Sequence, residues 1–236
     1  MKQLLFYLFF CVSSLGWSQV LEPIAIRLSE NGMEQKGDTL VSGVETVGAA
    51  PMKIMFKANI ENVPDGETYH CIWTFSEDPN FNTSLITRAE DNTEYTFDRS
   101  GTYFVRLSVS YQKVADNTSR EEIADAYIIK ISESELKVPN AFSPNGDGIN
   151  DVFKVKYKSL VKFNAYIFNR WGQELYHWGL PQIEDGWDGT SHGKQVKDGV
   201  YFIVVEAIGS DGIKYNHKGD INILRGFSGN GTVPQQ

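Results

Sequence analysis

Between residues 51 and 60 the apolar side chains Met52, Ile54, Phe56, Ala58 and Ile60 fall on every second position, with Lys53, Met55, Lys57 and Asn59 between them. A period of two is that of a half-buried β-strand, because successive side chains leave a strand on opposite faces. The same test predicts strands over Tyr69, Cys71, Trp73 and Phe75, over Tyr103, Val105, Leu107, Val109 and Tyr111, and over Tyr127, Ile129 and Ile131. Turn chemistry separates these runs at Pro64-Asp65-Gly66, Asp78-Pro79-Asn80 and Ser100-Gly101. No stretch carries a convincing 3.6-residue period. The reading is therefore all-β, with an immunoglobulin-like β-sandwich over residues 19–136.

A second series begins after residue 137. Strands are predicted over Val138 to Phe142, over Phe153, Val155 and Tyr157, over Phe163 to Phe168, Gln173 to Tyr176, Val200 to Ile208 and Tyr215 to Leu224. Val200 to Val205 is apolar at every position, the pattern of a central strand covered on both faces. Residues 137–225 form a second sandwich, so two immunoglobulin-like β-sandwich domains stand in tandem. Their connection, residues 134–140, has no glycine or serine run, which predicts domains that touch and swing little. Residues 226–236 form a glycine-rich tail expected to be flexible.

The first eighteen residues are different in kind. Lys2 precedes the apolar run Leu4 to Val12, followed by Ser13, Ser14, Gly16 and Ser18. That is the pattern of a secretory signal peptide cleaved after Ser18, and the run is shorter than the roughly 20 residues that cross a bilayer. Lipidation at Cys11 is the competing idea, disfavoured because Phe9 and Phe10 precede it. After cleavage Cys71 is the one remaining cysteine. No internal disulfide can then form, and its strand phase makes it a small buried apolar residue.

Charge divides between the halves. Residues 19–136 carry ten basic and twenty acidic side chains, a net −10, whereas residues 137–236 carry eleven and ten, a net +1. The acidic front half argues against nucleic acid as a partner and supports a boundary near residue 136.

Catalytic equipment is not apparent. His70, His177, His192 and His217 are far apart, with no ligand-spaced His, Cys or Glu beside them, so neither zinc nor another cofactor is expected. Glu184, Asp185 and Asp188 form the densest carboxylate group, but within one predicted loop. No nucleophile elbow or phosphate-binding loop occurs. The chain reads as a non-enzyme. Asn145, Asp147 and Asp151 form a weak candidate calcium loop; Ile149 breaks the ligand alternation, and an Asx-turn cluster is the preferred reading. Phe81 and Tyr95 are candidate exposed aromatics for a glycan or peptide, against the alternative that they fill the core. Ile72 and Phe104 fall on the outward phase of their strands.

Two resemblances add to this. Trp73-Thr74-Phe75, followed by Ser100-Gly101-Thr102-Tyr103-Phe104-Val105, resembles polycystic-kidney-disease (PKD) type modules, although Ser76-Glu77-Asp78-Pro79 replaces the usual Asp-Gly turn. The stretch from Val138 to Phe153, containing Pro139, Asn140, Ala141, Phe142, Pro144, Asn145, Gly146, Asp147, Gly148, Asn150 and Asp151, resembles the opening of the gliding-motility-associated C-terminal domain, the type B sorting signal of type IX secretion. The resemblance continues through Asn169-Arg170-Trp171-Gly172, Trp187-Asp188-Gly189, Asp198-Gly199 with Tyr201, and Leu224-Arg225. From residues alone these blocks read as turns, with Trp171 folding over its own hairpin.

The resemblance implies a protein of Bacteroidota exported across the inner membrane to the outer membrane, cell surface or periplasm. Its second sandwich would act as a sorting or docking module for the type IX translocon or an SprF/PorP-like outer-membrane partner, through a sheet edge or hairpin tips. A small surface-exposed binding module exported as cargo, with a glycan or peptide as ligand, is the alternative. Two features depart from the pattern: a tail follows Arg225, and a single small sandwich precedes the sorting domain.

Overall fold

In a computed structural model, residues 21–29 and 34–226 are described; the expected signal peptide with Cys11 and the tail beyond Gly226 lie outside the described residues. Strands make up two successive bodies, each with its own buried core.

In the front body, β1 (Ile24–Leu28), β2 (Glu34–Leu40), β4 (Met52–Lys57) and β7 (Asn92–Phe97) make one sheet in the order β2-β1-β4-β7. The facing sheet runs β3 (Glu45–Gly48), β10 (Tyr127–Ile131), β8 (Gly101–Lys113), β5 (Glu67–Ser76) and β6 (Ile86–Arg88), and β9 (Thr118–Ile123) pairs with β8. All pairings are antiparallel except β3 with β10. Met52, Ile54, Phe56 and Ala58 point into the core as their spacing predicts, and the Phe56 ring meets Trp73, Phe75 and Tyr127 at centroid distances of 5.5, 5.5 and 5.9 Å. Each such side chain, fully covered, contributes on the order of 2–3 kcal/mol of apolar burial. The alternation of β5 fails at its first member. Tyr69 is exposed although its cross-strand neighbour Tyr111 is buried, and its hydroxyl donates to Asp91 at 3.0 Å.

Cys71 is buried in this core. Burial first, then the hydrogen bond and charge of Asp91, push its thiol up to about 12.

The rear body is built on one sheet in the order β12 (Ala141–Phe142), β19 (Lys214–Ile223), β18 (Gly199–Gly209), β14 (Leu160–Phe168) and β15 (Glu174–Gly179). Opposite it lie two short ribbons, β11 (Glu135–Lys137) with β13 (Lys156–Lys158) and β16 (Thr190–Ser191) with β17 (Lys194–Gln195), together with loops and a 3-10 turn at Leu180–Gln182. The connection between the bodies contributes a strand of its own, since residues 135–137 form β11. Two expectations change here. The strands expected over 138–142 and 153–157 shrink to Ala141–Phe142 and Lys156–Lys158, because Phe153 holds its place by a single bridge to Trp187 and by ring packing. Val200 to Val205 lies on the central strand, but only one face is covered: Val200 and Phe202 remain 51% and 46% exposed.

The two bodies meet along a polar seam. Ala50 N donates to Ser159 Oγ at 3.1 Å, Ser100 N donates to the Ser210 carbonyl at 3.1 Å, and Ser210 Oγ donates to the Ser132 carbonyl at 3.1 Å. The Asp211 carboxylate accepts the Ser134 amide and hydroxyl, both at 2.8 Å, and Ser134 Oγ also meets the Tyr215 hydroxyl at 2.8 Å. Desolvation would raise the Asp211 carboxyl, but the Ser134 and Ile213 donors outweigh it and hold it below its usual value. Gly209 leaves room for this contact, since a Cβ there would lie 2.0 Å from Ser134 Oγ.

The loop pole of the C-terminal sandwich

The seam occupies one end of the rear sheet, at the β13–β14 turn and the β18–β19 hairpin. The opposite end gathers the motif blocks, and Trp187 is its hub. Its side chain is fully buried, with centroid distances of 5.5 Å to Phe142 and 5.6 Å to Tyr201. Its indole Nε1 donates to the Thr190 carbonyl at 2.8 Å, and its backbone exchanges two hydrogen bonds with Phe153 at 2.8 and 3.0 Å. Three blocks far apart in sequence thus close on one ring system. Buried aromatic clusters of this kind combine a large apolar area with fixed geometry.

Arg225 ties in the others. Its Nη1 donates to the Val196 carbonyl at 2.8 Å and to Asp198 Oδ1 at 2.6 Å, and its Nη2 to the Gly189 carbonyl at 3.4 Å. Tyr201 donates its hydroxyl to the Lys197 carbonyl at 2.7 Å. Asp188 accepts the Thr190 amide and hydroxyl at 2.9 and 2.7 Å, an Asx-type turn that sets the chain direction after Trp187.

The aspartate-rich loop closes on itself. Asp151 Oδ1 accepts the amides of Asn145 and Gly146 at 2.9 and 2.6 Å, and its Oδ2 accepts that of Gly148 at 2.7 Å. Asp147 Oδ1 accepts the Ile149 amide at 2.8 Å, while Asn145 Oδ1 accepts that of Asp147 at 3.0 Å. The oxygens named in the calcium reading accept backbone amides of the same loop, the hydrogen bonding of an Asx cluster. Pro144 lies against Gly189, Asn140 accepts the Asn222 amide through its carbonyl, and Pro139, Ala141 and Asn150 complete the course of the segment. Asp151 is the closing group, a role the sequence reading had spread over three residues. Asp151→Asn removes the charge and turns one acceptor into a donor. It is expected to cost about 2 kcal/mol of stability in the rear body, read from the midpoint of denaturant unfolding; an unchanged midpoint would show that the loop does not depend on it.

At the β14–β15 hairpin tip, Asn169 Oδ1 accepts the amides of Trp171 and Gln173, both at 3.0 Å, and Gly172 N bonds the Asn169 carbonyl. The turn is as expected, but Trp171 does not fold over the hairpin. It stands 75% exposed with the Arg170 guanidinium 4.2 Å above its ring. A groove of about 530 Å³ runs from this tip to the segment 197–202, where Asp198 and Gly199 lead into β18. Outward from it the sheet face continues through Phe202, its cross-strand neighbour Phe168, Tyr166 and His177, with Tyr166 stacked on His177 at 5.8 Å.

Other candidates are dispersed. Phe81 and Tyr95 are both half-buried: Tyr95 stacks on Phe75 at 4.6 Å, and Phe81 lies 4.0 Å beneath the Arg106 guanidinium. They pack, and they do not form an open platform. Ile72 and Phe104 are half-buried on the outer phase of β5 and β8. His70, His177 and His192 are exposed and His217 half-buried, each in a different setting. Glu184 accepts the Tyr157 hydroxyl at 2.7 Å. Among the described residues, no three His, Cys, Asp or Glu side chains are grouped to hold a metal ion, and no helix is long and apolar enough to cross a membrane.

Comparison with known proteins places this pole in a family. Residues 136–223 match the family model described as the CHU_C type IX secretion signal domain. No curated protein matches the chain. Among solved structures, dimeric latent PorU from Porphyromonas gingivalis is 12% identical with a TM-score of 0.25, over 86% of this chain and 20% of that one. The FN1–FN3 domains of chicken CNTN1 are 11% identical with a TM-score of 0.25, over 84% of this chain and 76% of that one. This chain spans only about a fifth of the PorU chain. The sandwich whose motif loops gather at one pole is thus the part of the chain, residues 136–223, that matches the type IX secretion signal domain family.

Proposed function

We propose that the chain is a non-enzymatic exported envelope protein whose rear sandwich docks, by its loop pole and the adjoining bare sheet face, on a protein of the outer-membrane type IX machinery such as an SprF/PorP-like partner. The observation that carries this reading is Trp171. A tryptophan three-quarters exposed, at a tip held by five hydrogen bonds among Asn169, Trp171, Gly172 and Gln173, is apolar area offered in a fixed position. Val200 and Phe202 extend it into a patch beside the groove. Exposed contiguous apolar surface of this kind marks interaction sites, and tryptophan and arginine are the residues most enriched at interface hot spots.

Removing Trp171 should leave the fold intact, because the ring covers no core. Trp171→Ala in the full chain is expected to abolish co-purification with outer-membrane partners and to leave the melting temperature within about 1 °C. A loss of about 2 kcal/mol of docking energy corresponds to roughly 30-fold weaker binding. Export and co-purification at the wild-type level would reject this surface. On this reading residues 19–136 are the exported part and residues 137–225 the address. The alternative, a glycan- or peptide-binding front sandwich, draws no support from Phe81 and Tyr95, whose rings are engaged in packing.

A further inference from the structure

On the rear side the seam between the sandwiches is built from residues that no motif block contains. Ser159 is 1% exposed and Ser210 6%, yet each owes part of its hydrogen bonding to the front body, through Ala50 N and Ser100 N. The Ser210 amide also donates to the Ser159 carbonyl at 2.9 Å, so the β13–β14 turn and the β18–β19 hairpin are tied to one another at the point where both grip the front body. Val161, the second residue of β14, packs its side chain on the front core. Ser134, just before β11, joins Asp211 and Tyr215 across the same boundary. Both main strands of the rear sheet, β14 and β18, therefore have one end anchored in the other body.

We propose that the seam is a conformational clamp: the rear sandwich reaches its full stability only while the front sandwich is folded against it. Unfolding the front body would remove the front-body partners of Ser159 Oγ and of the Ser210 carbonyl and hydroxyl, uncover Val161 and release the ends of β14 and β18. With those contacts gone the strand ends are no longer held, and local opening follows from such losses. The front sandwich is then more than a passenger, because its folded state is transmitted to the domain that carries the motif loops. This coupling stands on the seam alone and does not require that the loop pole dock on anything.

Hydrogen exchange of the full chain tests it. A front-core lesion, Phe75→Ala, is expected to lower the protection of rear amides such as Val161, Ala165 and Val205 on the order of tenfold. Should that variant unfold the front body outright, the rear amides report the same quantity, and the milder Ile129→Val gives a graded version. Cutting the seam at two points with Ser159→Gly and Asp211→Ala, the glycine chosen because it accepts the φ of +48° at residue 159, should loosen the coupling, so that Phe75→Ala lowers rear protection less than it does with the seam intact. Rear protection indifferent to Phe75→Ala with the seam intact overturns the clamp. An equal fall with the seam cut overturns the seam as its carrier.

Discussion

Replacing Trp187 with alanine is expected to lower the stability of the rear sandwich by about 3–5 kcal/mol, the range measured for deleting a large buried aromatic. The ring is fully buried, and it contacts Phe142 from β12 and Tyr201 from β18 while its indole closes on Thr190. Its loss opens a cavity at the junction of three motif blocks, two of which Arg225 links on the other side through Gly189 and Asp198. Since whole domains are stable by about 5–15 kcal/mol, this single change should leave the rear body partly or wholly unfolded at growth temperature. Denaturant titration followed by exchange of the β18 and β19 amides would measure it. A midpoint shift equivalent to less than about 1 kcal/mol would mean that the pole has other support.

The second large effect is expected one residue earlier. Gly186 has a φ of +67°, and a Cβ built there would lie 2.4 Å from the Phe153 carbonyl oxygen and 2.9 Å from Val152 Cγ1. Gly186→Ala therefore meets two penalties, the left-handed backbone of a residue with a side chain and a collision with main chain that is itself held by the Phe153–Trp187 bridge. Together they amount to about 3 kcal/mol, and the bridge should break before the backbone of residue 186 relaxes. Loss of the protected Phe153 and Trp187 amides in hydrogen exchange, with the front body unchanged, is the expected signature. Normal protection of both would show that the loop yields cheaply.

The front body was legible wherever one face of a strand meets the core and the other meets water. Met52 to Ala58 and Tyr103 to Tyr111 follow the period of two because two sheets press on them from one side only. Tyr69 departed from it because its hydroxyl reaches Asp91, and the period of a strand does not register where a polar tip finds its partner. In the rear body the central placement of β18 could be read from its apolar run, yet its bare outer face could not, since an apolar run reads the same whether its second face is covered or open. Trp171 was misplaced for a related reason: an exposed tryptophan and a core tryptophan are spelled alike.

At the loop pole the motif blocks were visible as turns, and their convergence on Trp187 and Arg225 was not. Turn residues report local geometry, whereas the meeting of residues 142, 187, 201 and 225 depends on the sheet order. Asp151 could have been singled out by one signal. Gly146 and Gly148 expose their amides without side chains to shield them, and a carboxylate three to five residues on is within reach of both. The seam had no such mark, because Ser134, Ser159 and Ser210 are indistinguishable in sequence from serines facing water.

The buried cysteine has a practical consequence for anyone who handles the molecule. A thiol pushed up to about 12 and shut inside the front core is almost wholly protonated at neutral pH and out of reach of alkylating reagents and of a second chain. In a chain starting at residue 19 it therefore behaves as chemically silent. A cysteine installed at the hairpin tip, or on either side of the seam, would accept a fluorophore or spin label selectively, with the native residue left in place.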